Sequence, residues 1–483
     1  MSNLTRRQFI EDTILAAAAA GTASIPLQVG AAEMRPVSAN DKITVAILGC
    51  GIRGKQHANE LARLPDCEIA YVCDPDIERA TELAAEVGKK ARRPKAVQDL
   101  RVVLEDKSVA AVFVATLNHW HALAAIWAMQ AGKDVYVEKP VCHNVSEGRR
   151  MVQVARKLGR VCQAGTQNRA SIGMAETISY LHAGKLGEVK LARSIVHGNR
   201  ASIGGPGRYD IPSNVDYNLF AGPAPMSPLT RPKFHYDWHW FWETGNGELG
   251  NNNIHAVDIC RWGLGVSGPG RAVLSYGGRF GYTDAGQTPN TQVVIHDFGG
   301  KTIVQETRGL KSEPYNPAFK SRWSFFGTEG IIAGTSLFDP AGKLIKTFEG
   351  PVENHFANFL RVVRSRKTAE LRADVLEGHR STGLCHIGNI SYRLGRPASL
   401  ADVEHQLGQL NVHDDVAETL DRTRKHLVEN GVDLKKTPLT LGPLLRMDGD
   451  KESFIGNPKA DALLTREYRA PFVVPSAKDI GSA

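Results

Sequence analysis

The chain has no block of five like charges and no nucleic-acid recognition motif, so its net charge of +8 over 483 residues reads as a solvated surface rather than a nucleic-acid-binding one. Cysteine is sparse: Cys50, Cys67, Cys73, Cys142, Cys162, Cys260 and Cys385 make an odd total of seven, mostly inside apolar runs and without metal-ligand spacing. That excludes a disulfide framework and leaves buried thiols, with no metal site expected. At 42% hydrophobic and 23% charged, the composition excludes disordered and collagen-like chains and leaves enough apolar material for two or three full cores.

The apolar stretch from Ile14 to Ile25 is too short to span a bilayer. It follows Thr5-Arg6-Arg7-Gln8-Phe9-Ile10 and is followed by Val29-Gly30-Ala31-Ala32, an arrangement that resembles a twin-arginine export signal with a small-residue cleavage site near Ala31 or Ala32. The expectations are a signal peptide over 1–32, a polar linker over 33–41, passage through the twin-arginine translocase, a periplasmic or otherwise exported location, and no stable membrane insertion. That route carries proteins already folded, so the cysteines need not pair.

Ile43 to Asp74 organises the rest of the chain. An apolar run ends at Gly49-Cys50-Gly51-Ile52-Arg53-Gly54, and a second run, Glu68 to Cys73, stops at Asp74. Strand, glycine turn, helix, strand and acid in that order make a dinucleotide site. Gly49 permits a tight turn, Gly51 lets backbone approach a pyrophosphate, and Gly54 lets the helix pack on its strand. The N–H groups at Ile52 and Arg53 open the helix toward phosphate. Asp74, 20 residues past Gly54, suits the hydroxyls of an adenosine ribose and favours NAD. Arg79, Arg92 and Arg93 lie near enough in sequence to leave NADP open.

Alternating apolar runs and helical segments continue to Gly165, which predicts a doubly wound parallel sheet over 42–165. In such sheets ligands sit at the carboxyl ends of the strands. Two strand exits therefore face the cofactor: Thr116-Leu117-Asn118-His119-Trp120-His121 and Glu138-Lys139-Pro140. A strand-end lysine is commonly just a solvated charge. Here Pro140 bars helix at Lys139 and can take a cis bond that aims the lysine inward.

The glycine turn, the Thr116–His121 loop and Glu138-Lys139-Pro140 together resemble the Gfo/Idh/MocA oxidoreductase family over roughly 42–395. The resemblance implies a second domain with a mostly antiparallel open sheet over 166–395, a carbohydrate or cyclitol substrate, and a homo-oligomer built through that sheet. The runs 188–197, 271–280, 291–298, 301–308, 322–326 and 330–334 read as its strands, with Phe298-Gly299-Gly300-Lys301 a hairpin turn. Residues 396–483 lie beyond the part that resembles the family and take no role from it.

In the second half, Asn251, His255 and Asp258 fall on one face of a helix. A single helical histidine is often a core residue, but the segment resembles the family's Asp-x-x-x-His motif, which implies that His255 is the proton-transfer group. Asn251 stands where the family usually has aspartate. An amide orients an imidazole without raising its basicity, so Asp258 becomes the candidate orienter. Lys139 would supply a cation to a developing alkoxide and His255 the base, while Asn168, Arg169 and His121 would position substrate hydroxyls or the carboxamide. The aromatic stretch Phe234 to Trp242, Trp240 included, reads either as a sugar-stacking wall or as packing.

The expected function is hydride transfer at a secondary alcohol of a sugar, sugar derivative or cyclitol, with NAD held tightly and recycled because an exported enzyme has no free pool. A redox-neutral glycosidase or epimerase and a non-catalytic sugar sensor are the alternatives.

Overall fold

The structure is a computed structural model that describes residues 42–313 and 321–480. The export-signal and linker segments therefore lie outside the described residues.

Six strands form the first sheet: β1 (Ile43–Leu48), β2 (Cys67–Cys73), β3 (Lys95–Val97), β4 (Ala111–Val114), β5 (Asp134–Val137) and β6 (Cys162–Ala164). Their order is β3-β2-β1-β4-β5-β6, and every pairing is parallel. Both faces are covered, which is why these strands read as continuous apolar runs. Leu48, Val112, Val114, Val135 and Val137 face helices Asn118–Gln130 and Val145–Lys157, while Val45, Ile47, Phe113 and Tyr136 face helices Ile52–Leu61 and Ile77–Gly88. Helix His355–Ser365 returns from late in the chain to pack Phe356 and Phe359 against Phe113 and Tyr136.

The strand order reverses between β1 and β4, so the exits of β1, β4 and β5 open into one crevice. This is the switch point at which such sheets take ligands.

The second sheet is mixed and mostly antiparallel. Its centre is β7 (Val189–His197), β8 (Ala272–Gly278), β9 (Thr291–Asp297) and β10 (Thr302–Arg308), with only the β7–β10 pairing parallel among these. The glycine hairpin joins β9 to β10 through Phe298 N–H to the Lys301 carbonyl, 2.9 Å. The strands alternate sides as their period requires. Val273, Val294 and Ile303 pack toward helices Ile254–Leu264 and Val375–Arg393, whereas Leu274, Ile295 and Val304 face the other way.

That second face is not bare. Helices Leu400–Leu407 and Val416–Glu429 lie over it and bury Val403, Leu407, Leu420 and Leu427 against β8 to β10. Residues 408–415 turn the chain between these two helices, which pack on each other. Strands Arg396–Ala398 and Leu439–Leu441 extend the sheet, and Leu445–Asp448 pairs with β8. Further on, Phe472 packs on Trp120 and Trp127 of the first domain.

A buried ion cluster ties these helices to the sheet. Glu306 of β10 accepts from Arg193 of β7 at 2.5 Å, Arg308 at 2.9 Å and Arg422 of helix Val416–Glu429 at 2.5 Å. The three guanidiniums hold the Glu306 carboxyl far below its ordinary range despite full burial. Removing one partner of a buried cluster leaves uncompensated charge. Glu306→Ala is therefore expected to lose about 3–5 kcal/mol of stability, read as a fall in urea midpoint, with Glu306→Gln losing less. An unchanged midpoint would show that the cluster does not anchor the helices.

Candidate functional site

The glycine turn uses each glycine differently. Gly49 has φ +95°, and a Cβ there would lie 2.3 Å from the Ala115 carbonyl oxygen. Gly54 lies beneath the turn, where a Cβ would come within 1.8 Å of the Gly49 oxygen. Gly51 is open: its nearest neighbour would be Arg79 Nη1 at 3.3 Å. Helix Ile52–Leu61 begins at Gly51 with no side-chain cap, so its leading N–H groups point into the crevice without a side-chain acceptor.

At the end of β2, Asp74 accepts the Cys50 N–H at 2.7 Å and the Asp76 N–H at 2.9 Å. Burial raises its pKa, and these two donors oppose the rise. Open space above Gly51, an uncapped helix start and a strand-end carboxylate together fit a dinucleotide. Of the arginines considered for a 2′-phosphate, Arg79 lines the crevice, whereas Arg92 pairs with Glu68 at 2.8 Å on the surface.

The other exits deliver the expected residues. Thr116, Asn118, His121, Glu138 and Lys139 line the same crevice as Gly49, Gly51, Ile52, Arg53 and Asp74. Glu138 is buried and accepts from Arg53 Nε at 2.7 Å and contacts His57 Nε2 at 2.9 Å, which keeps it ionised against the cost of burial. The Lys139–Pro140 peptide is cis. Lys139 Nζ donates to the Asn251 carbonyl at 2.5 Å, so the first domain's lysine meets the second domain in the crevice. Burial lowers the Lys139 pKa, and the neighbouring Glu138 carboxylate opposes that shift. His121 sets Nδ1 against the Pro140 oxygen at 2.6 Å and Nε2 against the Thr116 oxygen at 3.1 Å.

The second-domain residues do not share one helical face. A π-helical turn, Leu249–Asn253, precedes helix Ile254–Leu264 and widens the spacing between Asn251 and His255. Asn251 lines the crevice, and its Nδ2 reaches Glu248 Oε2 at 3.4 Å. His255 is half-buried one turn behind, its Nδ1 sealed without a partner and its pKa pushed down to about 3 by burial and the Lys139 charge. Asp258 turns away from His255. It forms a two-pronged pair with Arg169, 2.8 Å on each arm, and accepts the Ser381 hydroxyl at 2.6 Å. Neither Arg169 nor Asp258 lines the crevice, and neither does Asn168, whose carbonyl closes a turn onto the Ser171 N–H at 3.2 Å.

The aromatic stretch divides. A 3-10 turn, Asp237–Trp240, sends Trp238 and His239 to the crevice and Trp240 inward, against Ile203 and Phe241 with Arg200 at 5.3 Å over its ring. Tyr236 enters that turn at φ +68°, an uncommon conformation for a non-glycine residue, and lines the crevice with His235 and Phe220. Both readings of the stretch thus apply to different members, and the turn decides which face the crevice. His239 stacks on Trp238 at 3.6 Å, and its Nδ1 contacts the Tyr236 oxygen, which leaves Nε2 as the nitrogen available to a ligand.

Fold and site together define a two-domain protein that seats a dinucleotide at the switch point of its first sheet. Residues 43–166 match the family profile described as the oxidoreductase family, NAD-binding Rossmann fold, and residues 206–427 match its C-terminal alpha/beta domain. The chain belongs to the Gfo/Idh/MocA oxidoreductase family, and its first domain is that family's NAD-binding fold. It is 26% identical over 240 residues to levoglucosan dehydrogenase of Pseudarthrobacter phenanthrenivorans, covering 48% of this chain and 54% of that one. It is 30% identical over 148 residues to scyllo-inositol 2-dehydrogenase (NAD(+)) of Bacillus subtilis, covering 30% and 42%. An alpha-N-acetylgalactosaminidase of Shewanella oneidensis is 26% identical over 223 residues, covering 42% and 47%. The chain spans about half the length of these curated relatives. Among solved structures, the WlbA dehydrogenase of Bordetella pertussis in complex with NADH and UDP-GlcNAcA shares the fold, with TM-score 0.54 and 21% identity over 71% of this chain and 94% of that one.

The glycines separate folding from binding. Gly51→Val is expected to keep the wild-type melting temperature and weaken NAD binding at least about tenfold, about 1.4 kcal/mol. Gly54→Ala is expected to lower the melting temperature itself. Calorimetric titration beside thermal unfolding reads both, and tight NAD binding by Gly51→Val would place the pyrophosphate elsewhere.

Proposed function

We propose that this protein is an exported enzyme that transfers hydride between NAD and a secondary alcohol of a sugar, sugar derivative or cyclitol, with the cofactor held tightly and recycled in place. The observation that carries the reading is the meeting of Lys139 and the Asn251 carbonyl inside the crevice that holds the glycine turn. The dehydrogenase names of two relatives support the substrate class. The twin-arginine sequence at Arg6-Arg7 supports export.

When bound, NAD supplies the hydride acceptor. The chain's part is to place the alcohol, take its proton and stabilise the oxygen. Lys139, half-buried in the crevice, holds a cation where alkoxide charge develops. A base must be neutral to act, and burial keeps the His255 ring neutral across the physiological range. His255 does not itself line the crevice, whereas His239 does, with a free Nε2, and is a second candidate base in reach of a ligand there. Trp238 offers a flat face to a sugar ring.

The redox-neutral alternative has one observation of its own, the glycosidase names among the relatives. Transient oxidation of one ring carbon followed by return of the hydride would use the same crevice and consume no NAD.

Mass spectrometry of the small molecule released on denaturing the purified protein is expected to find NAD. A sugar and cyclitol panel is then expected to be turned over by wild type and to lose at least about a hundredfold in kcat with Lys139→Ala; retained turnover would remove the lysine from the reaction. Activity on chromogenic glycosides without added NAD would select the redox-neutral version.

The pH profile tests the bases. Because the folded His255 pKa lies below the ordinary imidazole value, kcat/KM is expected to stay flat as pH falls through about 6.5 and to drop only at lower pH. The lowered Lys139 pKa places the alkaline limb below the ordinary lysine range. An acid limb at the ordinary imidazole value would contradict both histidine assignments.

A further inference from the structure

A second cavity of about 270 Å³ lies where the C-terminal segment closes over both domains, and it shares no lining residue with the cofactor crevice. Its chemistry is concentrated in Arg393, Arg466, His143 and Trp242. The Arg393 guanidinium lies 5.2 Å over the Trp242 ring. Arg466 Nη1 donates to the Glu243 carbonyl at 2.8 Å and to His143 Nδ1 at 3.3 Å. With Nδ1 accepting, the ring's single proton sits on Nε2, which is buried without a partner.

Among the described residues, neither arginine has a carboxylate within ion-pair distance. Arg393 is exposed at the cavity rim, where partial desolvation and the Arg466 charge both lower its pKa, so the two guanidiniums feel each other. The acids nearby are otherwise engaged. Glu243 lines the cavity but accepts the Ser227 hydroxyl at 3.1 Å, and Glu147 is held by the His143 N–H at 2.7 Å and Asn144 Nδ2 at 2.9 Å. Two like charges lining one cavity together with an unpaired N–H donor are unfavourable alone, and guanidinium and imidazole N–H groups are the donors an oxyanion takes.

We propose that this cavity binds a small oxyanion-bearing ligand, its charged group held by Arg393 and Arg466 and its body against Trp242. The site is joined to the cofactor crevice by one residue. Asn246 Nδ2 donates to the His143 carbonyl at 3.0 Å, and its Oδ1 accepts from Asn118 Nδ2 at 3.2 Å, Asn118 being a crevice residue. Asn389 Nδ2 holds the Asn246 carbonyl at 2.9 Å and also lines the second cavity. A ligand there bears on the wall of the crevice through a rigid amide. The site needs only the fold and stands apart from the redox reading.

The test is isothermal titration of the full chain with inorganic phosphate, malonate and glucuronate in turn, at ionic strength fixed with potassium chloride. One saturable site is expected for at least one probe, weakened at least about tenfold by Arg393→Gln and by Arg466→Gln with NAD affinity unchanged. Binding of phosphate alone assigns a phosphate ligand; binding of malonate or glucuronate alone assigns a carboxylate. No saturable heat with any probe overturns the proposal, as does equal affinity in Arg393→Gln, whose exposed position lets the variant fold even if Arg466→Gln does not.

Discussion

A half-buried lysine ammonium at a strand exit needs oxygen around it, and Lys139 finds it in a backbone carbonyl of the other domain. That contact sets the relation between the parts. The parallel sheet fixes where the strand ends, the Arg53–Glu138–His57 cluster supplies fixed charge beneath it, and the π-helical turn at Leu249–Asn253 brings the Asn251 carbonyl to the ammonium. A regular α-helix would commit its carbonyls to the next turn. The widened turn sits where backbone must face a ligand site, as such bulges often do.

Asn251 acquires a meaning from this that its side chain did not supply. A carboxylate at that position would sit close to Lys139 and to Glu248, which already lies 3.0 Å from Arg200 and within reach of the Asn251 amide. Glu248, three residues before Asn251, carries a negative charge that acts on Lys139 through space.

The first domain was legible because its signals are local. Continuous apolar strands, three glycines with separate steric reasons and an acid at the next strand end each come from a few adjacent residues, and so do the crevice residues at Thr116 to His121 and at Lys139. The second domain was legible as strands and a hairpin, but not in its long-range contacts. Asp258 sits on the expected helix, yet the π-helical turn breaks the shared face and Arg169, far away in sequence, claims it. Trp240 and Trp238 differ only by a 3-10 turn that no pattern announces. Residues 396–483 carried none of the motifs on which the resemblance rests, although the family's C-terminal profile runs on to residue 427, and their helices show why. Their apolar residues cover the second face of β8 to β10, a role visible only once the sheet exists.

The most direct measurement is a crystal structure of the protein with NAD. The pyrophosphate is expected over Gly51 at the start of helix Ile52–Leu61, the adenosine ribose at Asp74, and the nicotinamide ring between Lys139 and Asn251. A nicotinamide that points away from Lys139, with the lysine still bound to the Asn251 carbonyl and no substrate-sized space beside either, would contradict the proposed chemistry.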